Sequence, residues 1–565
     1  MAKECKKDDL QSIPECARDF IKLVVRKMRY RKKVRADVQA ELVSHFEDEL
    51  KNCKTDEEKQ QKAQRLIEDF GDAKLLGILL RRAKKRCRPL WRTIVARTFQ
   101  TIGVLILLFI AYTGWFLTGK PTLSVDYLEI INQKNKPELS EQDNAWPDYE
   151  KAIELFVPLD EEMEKMEALR NMGSTHVGFG ELNRQDQEKI EHWVTDNNSA
   201  WQRFTEASNK RYCYLQRHYG EKNKEKWLLS ILLPELKPLR GLTLSGIWHS
   251  RINLDNGRVN QALDDCLVII RTGRFWQLSK ATIIEQLLGQ ALSNYGHNEI
   301  SYILSKHRLE AGELKHIQQP LLDIYRDGYP MINLETEKLM FMDVVQHIFT
   351  NGGLGGGHLI PQRFEDMANN TDFFGNGSSG NGDKTDAAKT LLFTASAMYH
   401  ARRDKTVEKI NEVYDYLSRL SKMTPYHRHI NDFNSDQFEK SIPRYRYLLA
   451  SMFMPAFGRA FERNYQGVIL HEATITVLAI ERYKLEKGKY PDSLEQLKTE
   501  GYINSLPMDP YSDKPLVYRR TADNFTLYSI SQNFTDDGGQ VYRDKEGKVR
   551  LWADEADAVF WPVPK

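Results

Sequence analysis

Cysteine is scarce. Six in 565 residues are too few for a disulfide scaffold, which concentrates its bridges in a short chain. Cys5, Cys16, Cys53 and Cys87 show no CxxC or Cys/His zinc spacing. Cys213 and Cys266 come later. Cys266 shares a helical apolar stripe with Val259, Ala262, Leu263 and Ile270, so a buried thiol and a bridge to Cys213 both stay open. Catalytic motifs are missing too. There is no G-x-S-x-G, and the residue four beyond His471 is Ile475, which removes the second ligand of an H-E-x-x-H zinc helix. His427 and His429 flank Arg428 and would face apart on a helix and together on a strand, without another obvious ligand nearby. The Gly-rich stretches 351–357 and 375–383 lack the Lys-Ser/Thr of a phosphate loop and read as surface loops. The chain reads as one that binds rather than catalyses.

Charge is abundant but balanced, 81 basic against 79 acidic residues for a net of +2, and the sum conceals an asymmetry. No charged residue lies between Arg97 and Lys120. Ile, Val, Leu and Phe dominate that interval, which as a helix is long enough to cross a hydrocarbon core of roughly 30 Å. The anchor is placed at residues 98–117, from Thr98 to Leu117, with Tyr112 and Trp115 suited to the outer interface. Before it, Arg81, Arg82, Lys84, Lys85, Arg86, Arg88, Arg92 and Arg97 are basic, with no acid among residues 81–97; beyond it acids and bases mix. The positive-inside rule then puts the N-terminus in the cytoplasm and the larger C-terminal part outside, in a bacterial inner membrane. Nearly a hundred residues precede the span, which argues against a signal peptide.

Residues 1–97 read as a small helical domain. Val34, Val38, Leu42, Phe46 and Leu50 form one stripe, and Ala63, Leu66, Ile67 and Phe70 a second. Gly71-Asp72 closes the second helix and opens a third, with Leu75, Leu76, Leu79 and Leu80 on its apolar face. The stretches "RADVQAELVSHFEDEL" (35–50) and "AQRLIEDFGD" (63–72) resemble the HAAS signalling domain and the related permease-prefix domain. That resemblance implies a cytoplasmic helical module on a membrane protein, tied to transcriptional regulation in bacteria, and hence a cytoplasmic regulatory partner. It supplies no catalytic residue, and His45 reads as structural. Seven of the ten residues from Arg26 to Arg35 are basic. So close to an anionic leaflet, attraction to lipid, or a plainly solvated helix face, is favoured over nucleic acid.

From 120 to 465 helical patterns dominate. "NAWPDYEKAIELF" (144–156) opens on Pro147 and carries Tyr149, Ile153 and Phe156. Residues 241–275 resemble a tetratricopeptide-type hairpin, turning at "NLDNG" with Ala262 and Leu263 at the crossing. No second copy recurs at a fixed period, so the outer domain is expected to be an irregular helical array.

Residues 466–565 change texture. After a helix at 467–485, Asp492 is an N-cap candidate with Glu495 three residues on. Strands are expected at 516–519, at 525–530 and within "KVRLWAD" (548–554). "KYPDSLEQL", "DPYSDKPLVY" and "FTLYS" resemble the C-terminal half of type II secretion pseudopilins, and the outer part as a whole is similar to uncharacterised membrane-anchored bacterial proteins. In the polar loop Asn533, Thr535 and Asp537 take positions 1, 3 and 5 of a calcium-loop spacing, with Asp544 at position 12. Calcium is the one cofactor this pattern offers, and pseudopilins hold calcium in a comparable loop. Asp-Asp-Gly-Gly is also ordinary turn chemistry.

The expected fold class is therefore mainly α: a cytoplasmic helical domain (1–97), one transmembrane helix (98–119), a large irregular helical domain (120–465) and a small α+β module (466–565). The function this favours is a membrane-anchored binding and signalling protein, with an envelope ligand or protein partner outside. A structural or secretion-related protein, and an envelope hydrolase, are the alternatives.

Overall fold

The computed structural model describes residues 11–86, 90–170, 177–220, 226–231, 233–278, 282–353, 356–370, 394–395, 397–433 and 435–564. The Gly-rich stretch 375–383 lies outside them. Helix is the dominant element. The chain divides into two units, Met1–Trp115 and Phe116–Lys565.

The first unit opens with four helices where the stripes called for three. Helix α1 (Glu15–Met28), absent from the sequence reading, gives the core Phe20, Ile21, Val24 and Met28. Helix α2 (Lys32–Leu50) gives Val38, Leu42, Phe46 and Leu50 from the expected stripe. Helix α3 (Asp56–Phe70) starts on a capping box, Thr55 with Glu58, and ends at Gly71 at φ +70°. Its Phe70 ring lies 6.1 Å from Phe20 and 5.8 Å from Phe46, with His45 edge-on at 5.5 Å. The Asp72 carboxylate accepts from the Lys74 amide at 3.0 Å as helix α4 (Ala73–Arg86) begins. The expected apolar face of α4 divides. Leu76 and Leu80 pack on the core, whereas Leu75 and Leu79 are 57% and 51% exposed. Four consecutive-pair positions span too wide an arc for one helix face.

Helix α5 (Leu90–Leu117) follows. Its segment Ile94–Leu117 is long and apolar enough to cross a membrane, and none of its most apolar window is buried. Phe99 and Leu107 are 70% and 67% exposed, unlike the side chains of a helix in a soluble core.

The second unit begins at Phe116, whose ring is buried and stacks on His358 at 4.4 Å. His358 Nε2 bonds the Phe116 carbonyl at 3.1 Å. His358 belongs to a turn closed by the bridge Phe349–Leu359, and Thr350 there also bridges Pro121. Gly357, at φ +125°, has no room for a Cβ against the Thr350 carbonyl, which accounts for part of the run 351–357.

Helices Leu236–Asp255 and Val259–Leu278 form the expected hairpin, turning at Gly257 (φ +72°). Ser250 donates to the Ala262 carbonyl at 2.9 Å where they cross. Helix Ile283–Lys306 then packs back on Val259–Leu278 through glycines. A Cβ on Gly273 would stand 2.5 Å from the Gly289 carbonyl oxygen and 2.6 Å from the Ser293 amide. Between Trp248 and Tyr302, Arg251 is buried against Glu299, with Nε–Oε1 at 3.0 Å and Nη2–Oε2 at 2.9 Å. Cys213 and Cys266 are free thiols, Cys266 fully buried.

Helix Leu448–Lys487 runs straight through the expected boundary at 465/466 and ends at Gly488 (φ +76°). One core joins Leu263, Ile300 and Leu321 to Leu478, Tyr511 and Phe525, so the C-terminal residues share the helical body's interior. Strands β1 (Met508–Asp509) and β2 (Lys514–Pro515) pair, while β3 (Val517–Arg520), β4 (Phe525–Ser529) and β5 (Ala558–Trp561) form an antiparallel sheet in that order. The third strand is thus Ala558–Trp561. Residues 548–554 supply only an isolated bridge, Arg543–Val549. Val549, Leu551 and Ala553 alternate as a strand would, but the place beside β4 is taken by Ala558–Trp561. Ser493, not Asp492, stands at the N-cap of helix Leu494–Thr499; Asp492 pairs with Arg520.

Candidate functional site

An irregular segment, residues 211–217, crosses the second unit between helices, and two asparagines satisfy its backbone. The Asn144 side chain donates to the Tyr214 carbonyl at 3.1 Å and accepts from the Tyr214 amide at 2.9 Å. Asn132 does the same for Arg217, at 2.9 Å in both directions. A side-chain amide carries one donor and one acceptor in the arrangement of a neighbouring strand, so buried peptide groups find partners without a sheet.

This segment and five helices enclose a cavity of about 310 Å³, at the small end of the roughly 300–1,000 Å³ typical of small-molecule sites. Leu128 and Ile131 come from helix Tyr127–Asn135, Phe275 and Trp276 from the end of Val259–Leu278. Met340 and Phe341 come from Glu335–Ile348, and Phe457 and Ala460 from the long helix. These walls are apolar.

Polar groups gather where helix Ile283–Lys306 begins. Glu285 is fully buried and completes a capping box, accepting from the Thr282 amide and hydroxyl at 2.9 Å each. Its other oxygen meets Arg217, whose Nη1 donates to Glu235 at 2.5 Å. Glu337, also lining the cavity, accepts from the Ile283 amide at 2.6 Å. Two carboxylates therefore sit on the first amides of a helix, at the positive end of its dipole. Burial raises the Glu337 carboxyl above its usual range, with the Ile283 amide opposing. Burial pushes the Cys213 thiol up to about 12, so it stays protonated at neutral pH and is a poor nucleophile. The arrangement is suited to holding a molecule with an apolar body and one polar end.

Two other polar clusters lie in the same unit. His297 and His471 are buried with ring centroids 5.1 Å apart, and Tyr325 lies 4.6 Å from His471. Neither His297 ring nitrogen, nor His471 Nδ1, has a hydrogen-bond partner among the described residues. His471, which begins the incomplete zinc motif, is thus a core residue. Asp265 joins His249 Nδ1 at 2.8 Å, Trp201 Nε1 at 3.0 Å and Asn253 at 3.0 Å. His427 and His429 do face apart: His427 pairs with Asp513 at 3.2 Å, and His429 stacks on Phe534 at 4.1 Å.

Of the calcium-loop spacing, Asn533, Thr535 and Asp537 stand in one turn and Asp544 in the next. Asn533 donates to Asp537 at 2.6 Å and accepts from the Thr535 amide at 3.1 Å, which brings these three together in a turn. Asp544 is engaged elsewhere. It accepts from the Glu546 and Lys548 amides and from Arg550 Nε at 2.9 Å, fixing the next turn. A carboxylate already held by a guanidinium and two amides is a poor ligand for calcium. Among the described residues no three His, Cys, Asp or Glu side chains are grouped to hold a metal ion.

Sequence reasoning missed Arg217, Glu235, Glu285 and Glu337. One local signal was present, the Thr282-x-x-Glu285 capping box. The other three lie far apart in the chain and meet only through the fold. Comparison of the chain with protein-family models, with curated proteins and with solved structures finds no match.

Proposed function

We propose that this is a single-pass membrane-anchored binding and signalling protein of the bacterial envelope, whose outer body holds a small apolar ligand. The cavity behind Arg217, Glu285 and Glu337 carries the proposal, because a largely apolar chamber with a few convergent polar groups is the usual form of a ligand site. The apolar helix Ile94–Leu117 supports the anchor, and the eight basic residues before it support an N-terminus in the cytoplasm. Protease added to spheroplasts is expected to degrade the outer unit and spare residues 1–97; the reverse pattern would invert the orientation. The HAAS-like stretches support a regulatory partner for the cytoplasmic head.

The helical hairpin at 241–275 is read as tetratricopeptide-like within an irregular helical array, and residues 466–565 as a pseudopilin-like end. A second reading, a structural or secretion-related envelope protein, is favoured by the long helix that packs against β4 and β5.

The binding reading is tested by photolabelling. The full chain in phosphatidylcholine nanodiscs is exposed to a diazirine-bearing decyl alcohol, and labelled peptides are mapped. Saturable labelling of the walls around Leu128, Trp276 and Phe457, lost in Ala460→Phe, is expected. Labelling confined to the anchor helix would refute the reading.

A further inference from the structure

The charges around the cavity do not balance. Arg217 is the one basic residue among the described residues that line it, and its guanidinium is committed to Glu235 and Glu285. Glu337 lines the same chamber at 8% exposure, and among the described residues no basic side chain pairs with it. Its hydrogen bond from the Ile283 amide leaves the second oxygen's charge without a cation. A buried carboxylate without a cation is costly, and the cost is relieved when a positive group is brought to it. Nearby, the Tyr414 hydroxyl is buried without a hydrogen-bond partner among the described residues, and it senses the charge of Glu337.

We infer that the cavity is selective for an amphiphile with an apolar chain and an amine head, the ammonium group being received by Glu337. The chain lies against Leu128, Ile131, Trp276 and Met340, and the head turns toward the start of helix Ile283–Lys306. An anionic head would meet Glu285 and Glu337 and be repelled. A neutral head would gain only a neutral hydrogen bond from Glu337. Burial already favours the protonated form of Glu337; an ammonium ion beside it would restore the charged form. This inference rests on the cavity's being a ligand site, and it adds the chemical class of the ligand.

The test extends the photolabelling to three diazirine probes that share one decyl chain and differ in the head: amine, alcohol and carboxylate. The full chain is held in phosphatidylcholine nanodiscs at neutral pH, and labelling of residues 98–117 reports each probe's partition into the bilayer. After that correction, the amine is expected to label the cavity walls at a concentration about tenfold below the alcohol, the size of one charge-assisted hydrogen bond. The carboxylate is expected to be weakest. Glu337→Gln should abolish the amine's advantage over the alcohol. Equal labelling by the three heads, or an advantage that survives Glu337→Gln, would overturn the inference while leaving the binding reading intact. Absence of cavity labelling by every probe would remove both. Should Glu337→Gln fail to fold, the ranking of heads on the unaltered chain still decides.

Discussion

His297 and His471 meet in the core although 174 positions separate them (471 minus 297). Burial holds both rings neutral, His471 down at about 3 and His297 well below its ordinary value, with His471 reinforcing the effect. Burial lowers His400 as well. Below about pH 6.5 the unfolded chain therefore takes up protons that the folded chain refuses. Stability is full above that pH and is lost progressively as the pH falls toward the depressed values. At about pH 5, each of the two paired histidines should cost the folded state roughly 2 kcal/mol. Urea unfolding of the full chain, followed by tryptophan fluorescence at about pH 7.5 and pH 5, checks this. The His297→Leu/His471→Leu double variant should lose most of the difference; an undiminished difference would place the acid sensitivity elsewhere. Nothing local in the sequence marks either residue for this role. His471 drew notice only for a zinc motif it does not complete.

At the scale of elements, a close joint in the second unit is the crossing of Val259–Leu278 with Ile283–Lys306. A methyl group on Gly273 meets backbone atoms of the partner helix at 2.5 Å and 2.6 Å, and backbone cannot rotate away. Gly273→Ala should therefore force the helices apart and cost about 1–3 kcal/mol, read as a lower urea midpoint. Gly312, with nothing within 4 Å of its Cβ position, serves as the control, and Gly312→Ala should be near neutral or mildly stabilising. Equal effects at both sites would contradict the packing argument.

Elements were legible where periodicity was local and strong. The stripe Val34 to Leu50, the capped turn at Gly71 and the hairpin around Gly257 all follow from side chains a few residues apart. Helix Glu15–Met28 was not read, although Phe20, Ile21 and Val24 recur at helical spacing. The third strand was misplaced because Val549, Leu551 and Ala553 alternate as a strand would, while "DAVFW" near the end is short and consecutive. The cavity was not legible at all. Its polar end is assembled from residues 217, 235, 285 and 337, and its lining segment is stitched by Asn132 and Asn144 side chains, which no periodicity encodes.

For the whole molecule, the asymmetry concealed by a net charge of +2 sorts the chain. Basic residues crowd the sequence just before the apolar helix Ile94–Leu117, and the larger unit keeps its charges mixed. Within that larger unit the long helix Leu448–Lys487 links the two ends of the fold. Its first half supplies Phe457 and Ala460 to the cavity wall, and its second half carries the core shared with the sheet.

The most direct test of a ligand-binding outer body is native mass spectrometry of the full chain, released in mild detergent from the membranes in which it was made. The chain should retain a single small non-covalent adduct, one per chain, and Ala460→Phe should lose it. A bare chain mass under conditions that preserve known lipid adducts, or an adduct that persists in Ala460→Phe, would contradict the assignment of the cavity as a binding site.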